Sequence, residues 1–84
     1  GPTEIDAIES QIKQVQDRIA FLKKDNERYK LLIQKSAIEH QRYDQSNQDL
    51  AIAQNQLKEL QANLSTAKLP ARADEIQAAA ANLT

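Results

Sequence analysis

The sequence predicts an all-α fold, an antiparallel two-helix coiled-coil hairpin, on three observations. Apolar residues recur at helical spacing in two stretches, and the pattern changes phase between them. The 84 residues include only one Gly and two Pro, too few for a fold with many turns. Ala, Gln, Leu, Ile, Lys and Glu dominate the composition, which is typical of long helices.

The first apolar stripe predicts a helix over residues 3–34. Its members alternate at steps of three and four residues, the spacing of a coiled-coil seam. Asn26 also falls in the seam, either as a polar residue that sets the register or because the seam loosens there and admits water. The apolar seam residues of this helix are Ile5, Ile8, Ile12, Val15, Ile19 and Leu22.

The second stripe predicts a helix over residues 40–69 that packs against the first. Its seam alternates large residues with small ones such as Ala53 and Ala67, which let two helices approach closely. The large seam residues of this helix are Tyr43, Leu50, Leu57, Leu60 and Leu64.

The two stripes are out of phase, which predicts that the chain reverses over residues 35–39. If one helix continued, the seam position of Ile33 would be followed by polar His40, and the apolar seam would become polar. Ser36 and Glu39 have the spacing of a capping box, so the second helix begins at Ser36 or has Glu39 as its first residue.

Both ends of the chain carry a proline. Gly1-Pro2 is interpreted as a scar of protease cleavage, so the chain is expected to be a fragment excised from a longer protein. Pro70 predicts a kink or a break, followed by a short Ala-rich helix over residues 70–84. The apolar residues of that segment (Leu69, Ile76 and Leu83) are offset from the second seam and would face away from the first helix.

Several function classes are disfavoured by composition. The net charge of −1, with both signs interspersed, provides no basic stripe for a nucleic acid. With no Cys and a single His, His40, a metal site is not expected. No nucleophile, base and orienting group can be assembled, so we expect neither an enzyme nor a cofactor. So short a chain has a thin core, and we expect it to associate with other chains.

Large apolar residues off the seams indicate a protein interface. Phe21, Leu31, Leu32 and Ile52 all lie outside the two stripes, and the first three lie on the same helix as Arg28. Single exposed apolar side chains are ordinary, but several on one flank beside an arginine favour a binding surface.

The residues around the predicted turn resemble the hairpin tip of a known family. Arg28 to Leu32, then Ala37-Ile38, then Gln41 to Asp44 follow in order the tip pattern of periplasmic adaptor subunits, the HlyD-type membrane fusion proteins. That pattern has an Arg, a Leu one turn later and a Ser seven residues after the Leu. Arg28 and Leu32 match, whereas Glu39 stands in the third position, where it can accept a hydrogen bond or cap the second helix.

A second segment extends the resemblance. Arg72-Ala73-Asp74-Glu75-Ile76, followed by an Ala-rich stretch, is similar to a segment in the hairpins of ABC exporter adaptors, including the DevB-like subgroup. The resemblance implies a periplasmic hairpin whose parent protein is anchored to the inner membrane and forms six-membered tubes. The implied partners are a TolC-like outer-membrane channel and an inner-membrane transporter, with an ABC transporter favoured over a proton-driven one. The implied tip contacts are Arg28 and Leu32, with Glu39, Ile38, Leu31 and Tyr29 beside them.

The alternative hypothesis is a scaffold or cytoskeletal coiled coil that forms one long parallel dimer without a hairpin. The two architectures differ in the distance between Ile12 and Leu60 of one chain. A hairpin brings them close together, whereas a continuous helix separates them by about 70 Å at ~1.5 Å per residue.

Overall fold

The chain forms two long helices that pack along each other. The structure, a computed structural model, describes the backbone of residues 1–82 and the side chains of residues 1–69. Helix α1 (Pro2–Gln34) and helix α2 (His40–Asn82) are joined by the turn 35–39 and make a rod of 73 × 15 × 14 Å. The predicted antiparallel helical hairpin is confirmed.

A polar contact fixes how the two helices are aligned. The Asn26 amide nitrogen donates to the Ser46 hydroxyl oxygen at 3.2 Å and to the Asn47 side-chain oxygen at 2.6 Å. Ser46 is buried, with 7% of its surface exposed. Because sliding one helix past the other would break these bonds, they support the interpretation of Asn26 as a residue that sets the register.

The apolar seam is narrow. Ile19 on α1 and Ala53 on α2 are the buried apolar residues among the described side chains. The alignment of Asn26 with Ser46 places Ile19 opposite Ala53, since each lies seven residues from its partner in that bond. The other predicted seam residues are half-buried: Ile5, Ile8, Ile12, Val15, Leu22, Tyr43, Leu50, Leu57, Leu60 and Leu64.

Helix α1 ends in a Schellman motif that needs no glycine. The Ala37 N–H donates to the Leu32 carbonyl at 2.8 Å, and the Ser36 N–H donates to the Ile33 carbonyl at 3.0 Å. This pair of hydrogen bonds defines the Schellman motif. Ser36 takes the left-handed conformation that the motif requires, with φ of 54°. The carbonyls of Leu32 and Ile33 in the last turn of α1 are thereby paired within the turn.

The predicted range of residues 40–69 begins where α2 begins, at His40, whereas neither start suggested by the capping-box spacing, Ser36 or Glu39, is the first residue of the helix. The N-cap residue of a helix typically has an extended backbone, whereas Ser36 is left-handed and ends α1. Helix α2 begins at His40, and the Glu39 carbonyl accepts the Arg42 N–H at 3.1 Å. Glu39 therefore directly precedes the helix and is not its first residue.

Of the two alternatives at Pro70, a break is excluded. Helix α2 continues as one element from His40 to Asn82, so no separate further helix follows the proline. Proline removes one N–H donor, and a helix can continue past that loss at a local cost. The predicted apolar side chains of Ile76 and Leu83, and the segment Arg72 to Ile76, lie outside the described side chains.

The left-handed Ser36 leads to a test of the turn. A side chain at positive φ costs roughly 1 kcal/mol that glycine does not incur. We expect Ser36→Gly to raise the free energy of unfolding by about 1 kcal/mol, measured by urea denaturation followed by circular dichroism.

A matched control separates this effect from glycine substitution in general. Ser10 is exposed within α1, where glycine is unfavourable. Ser10→Gly should lower the free energy of unfolding by about 0.5 kcal/mol. If both variants shift stability in the same direction, the strained conformation at Ser36 does not contribute as argued.

The polar contact leads to a second test. Replacing Asn26 and Ser46 together, as Asn26→Leu with Ser46→Ala, removes both polar groups and fills the seam with apolar atoms. We expect the unfolding free energy to rise by about 1 kcal/mol or more in urea denaturation, while the register becomes less uniquely specified.

The single variant Asn26→Leu provides the comparison. It leaves the buried Ser46 hydroxyl without its partner, so it should be less stable than the double variant. A double variant less stable than the original chain would contradict this account of the contact.

Candidate docking tip

The structure gathers the predicted tip residues at one end of the rod. Arg28, Tyr29, Leu31 and Leu32 occupy the last two turns of α1, and Ile38 and Glu39 lie in the connecting turn. The five-residue turn is anchored by the hydrogen bonds of the Schellman motif, so the tip is a defined surface on two rigid helices.

Arg28 is exposed and also held in place. Its guanidinium donates to the Asp25 carboxylate at 3.0 Å, and the guanidinium carbon lies 5.4 Å from the centre of the Tyr29 ring. The side chain still exposes 64% of its surface. A guanidinium has five N–H donors, and the contact with Asp25 involves one of its three nitrogens, so Arg28 can engage a partner while it keeps that contact.

Tyr29 connects the two helices beneath the tip. Its ring is half-buried and lies near two guanidinium groups. The guanidinium carbon of Arg28 lies 5.4 Å from the ring centre, and that of Arg42, on α2, lies 5.9 Å from it. Both distances are within the range of cation–π attraction. Arg42 was not among the predicted site residues, because its contact with Tyr29 follows from the helix register, which the apolar pattern alone leaves open. The contact of Asp25 with Arg28 could have been predicted from the sequence, since residues three apart on a helix are neighbours.

The apolar tip residues differ in exposure. Leu31 exposes 57% of its surface and points away from the seam. Leu32, which the sequence placed off the seam, is half-buried. Leu32 lies seven residues after Asp25, which lines the cleft between the helices and is half-buried too, so this row of α1 flanks the seam. Ile38 in the turn is half-buried as well, and Glu39 is exposed.

A cleft opens between the helices just below the tip. Its volume is about 360 Å³. Leu22 and Ser46 belong to the seam at its base, and its walls combine carboxylates, amides and the Arg42 guanidinium. The remaining lining residues are Asp25, Tyr29, Gln41, Arg42, Gln45 and Asp49. Such mixed polar and charged lining suits the side chains of a protein partner.

The described part of the chain offers neither a metal site nor a membrane span. No group of three or more His, Cys, Asp and Glu residues there is placed to hold a metal ion. Neither helix, over its described residues, has the length and apolar character to cross a membrane.

Comparison with known proteins identifies no relative. No protein-family model matches the chain, and neither the curated proteins nor the solved structures include a match.

Proposed function

We propose that this chain is the non-catalytic hairpin of a periplasmic adaptor subunit, which docks through its tip on a TolC-like outer-membrane channel in a tripartite export system. The order of residues around the turn resembles that family's tip. One observation carries the proposal beyond the resemblance: exposed Leu31 lies beside an exposed Arg28, itself oriented by Asp25, at the end of a long rod.

The chemistry of the tip suits a protein contact. Arginine and large apolar residues are enriched where binding energy concentrates in interfaces. Arg28 has already lost much of its rotational freedom to Asp25 and Tyr29, so less entropy is lost when it binds. Its donors suit carboxylate or carbonyl oxygens on the channel, and Leu31 provides apolar surface next to them.

The shape of the molecule suits a docking role as well. A rod 73 Å long and 15 Å wide presents its turn far from its base. In the proposed assembly the base belongs to the parent protein, anchored to the inner membrane beside an ABC transporter, and six copies form a tube. The periplasm is the compartment in which such a rod would bridge the two membranes.

The long parallel dimer of the alternative hypothesis requires one unbroken helix. Helix α1 ends at Gln34 and the chain reverses over the next five residues, so that architecture is excluded.

Substitutions at the tip test the proposal. In the parent protein, Arg28→Asp and Leu31→Asp should each reduce export by tenfold or more, because each places a carboxylate where the partner meets a cation or an apolar surface. Leu32→Asp should also abolish export, with some loss of stability because Leu32 is half-buried. Export is measured in cells, and circular dichroism of the isolated hairpin checks that it stays helical.

Lys23→Asp is the matched control, since Lys23 is an exposed cation of α1 that lies below the tip. It should leave export unchanged. A photoactivatable cross-linker at residue 28 or 31 should capture the outer-membrane channel, and one at residue 23 should not. Full export by Arg28→Asp and Leu31→Asp, without channel capture, would refute the proposed docking role.

A further inference from the structure

Two rows of residues define one broad side of the hairpin. Residues seven apart lie almost on the same line of a helix, about 20° from each other. Gln14 and Glu59 line one groove between the helices near the base, and Gln45 lines the cleft near the tip. Phe21 is seven residues after Gln14, and Ile52 lies seven residues from both Gln45 and Glu59. Phe21 and Ile52 therefore belong to this side, between the two grooves.

These two apolar residues also lie at the same height. Phe21 is five residues from Asn26, and Ile52 is six residues from Ser46, in the matching direction along the rod. At ~1.5 Å per residue the difference in height is about 1.5 Å. Phe21 exposes 63% of its surface and Ile52 exposes 49%. Together they form an apolar patch, the Phe21/Ile52 patch, on both helices.

Among the described side chains, the opposite side of the hairpin has no exposed pair of large apolar residues at this height. There the groove between the helices is lined by Lys23, Ala51 and Lys58, by amide side chains and, at its base, by the seam residues Ile19 and Leu57. Ala51 is adjacent to Ile52 in sequence but belongs to the other side. The two sides thus differ in apolar surface by the large side chains of Phe21 and Ile52.

We propose that the Phe21/Ile52 patch binds a second copy of this chain, turned end for end, with the two patches in contact. This inference concerns the free chain and does not rest on the proposed function: the tips of the reversed pair point in opposite directions, whereas the tips of the proposed tube point the same way, so the pair separates before the tube forms. Phe21 lies 15 residues before the turn residue Ser36, about 22 Å away along the helix, so a partner bound at the turn alone leaves the patch uncovered.

The charges around the patch favour the reversed arrangement. On α1, Arg18 lies three residues toward the base from Phe21 and Asp25 lies four residues toward the tip. Reversing one copy about the patch sets Arg18 of each chain beside Asp25 of the other. On α2, Arg42 lies ten residues from Ile52 toward the tip and Glu59 lies seven residues toward the base. Reversal brings Arg42 of each chain within about three residues in height of Glu59 of the other, at ~1.5 Å per residue.

An arrangement with both tips at the same end is disfavoured. It sets α1 of one copy over α2 of the other at equal heights. Asp25 then meets Asp49, and Arg28 meets Arg42, so like charges face each other near the patch. In the reversed pair the two Asp49 side chains also face each other, but they are offset by about 8 Å along the axis, whereas Asp25 and Asp49 of the same-end arrangement are offset by about 3 Å, at ~1.5 Å per residue. The charge pattern therefore favours the reversed pair.

The area of the contact indicates a weak dimer. The face is about 15 Å wide, and the stretch between Arg42 and Glu59 spans about 25 Å at ~1.5 Å per residue. This amounts to roughly 400 Å² per chain, below the ~800 Å² of a standard interface. Association is therefore expected at high micromolar concentration, with the apolar patch contributing most of the affinity.

Sedimentation equilibrium of the chain between 10 µM and 1 mM, as order-of-magnitude limits for a weak contact, tests the proposal. Ile52→Lys and Phe21→Lys should each weaken dimerisation by tenfold or more, because each places a charge in the patch. The matched control Ala51→Lys adds the same charge one residue away on the opposite side, and should change the dissociation constant by less than about threefold. Circular dichroism verifies that all variants remain helical.

A charge exchange tests the orientation. Arg42→Glu and Glu59→Arg should each weaken the dimer, and the double variant should recover most of the lost affinity. The two positions lie 17 residues apart on one helix, too far to interact within a chain. A chain that stays monomeric at the highest concentration, or a dimer equally affected by Ile52→Lys and Ala51→Lys, would overturn the proposal. Failure of the double variant to recover affinity would overturn the reversed arrangement.

Discussion

The hydrogen bonds from Asn26 to Ser46 and Asn47 are the constraint on which the rest of the hairpin depends. A seam made only of Ile, Leu and Ala offers similar packing in several alignments one heptad apart. A half-buried amide has no such freedom, because a shift would leave the buried Ser46 hydroxyl without a partner. The polar contact thus trades some stability for a single alignment.

That alignment explains what the sequence predicted and what it did not. Two helices, a turn at residues 35–39 and the seam follow from apolar spacing, which reports on local periodicity. The contact between Tyr29 and Arg42 depends on register across 13 residues of chain, so spacing alone does not reveal it. The change of phase between the two apolar stripes located the turn. Its left-handed residue, Ser36, was not predicted, because a serine, unlike a glycine, does not mark a left-handed position in a sequence.

The sequence predicted which residues lie at the end of the hairpin better than it predicted how exposed each side chain is. Arg28 and Leu31 are exposed as a binding surface requires, whereas Leu32 is half-buried in the row of α1 that flanks the seam. Helical spacing assigns residues to faces but does not say how closely the second helix covers a row beside the seam. For this reason Leu31, rather than Leu32, provides most of the apolar surface beside Arg28.

The hairpin's thin core and its exposed patch are two aspects of the same geometry. Two helices can bury only one stripe each, so the flanking rows stay accessible on both sides. A chain that had no further contact along its length would gain nothing from large apolar residues in those rows. Phe21 and Ile52 occupy them at one height and on one side, while Ala51 occupies the other. That asymmetry is what distinguishes a binding surface from scattered exposure, and it lies too far from the turn to belong to the tip.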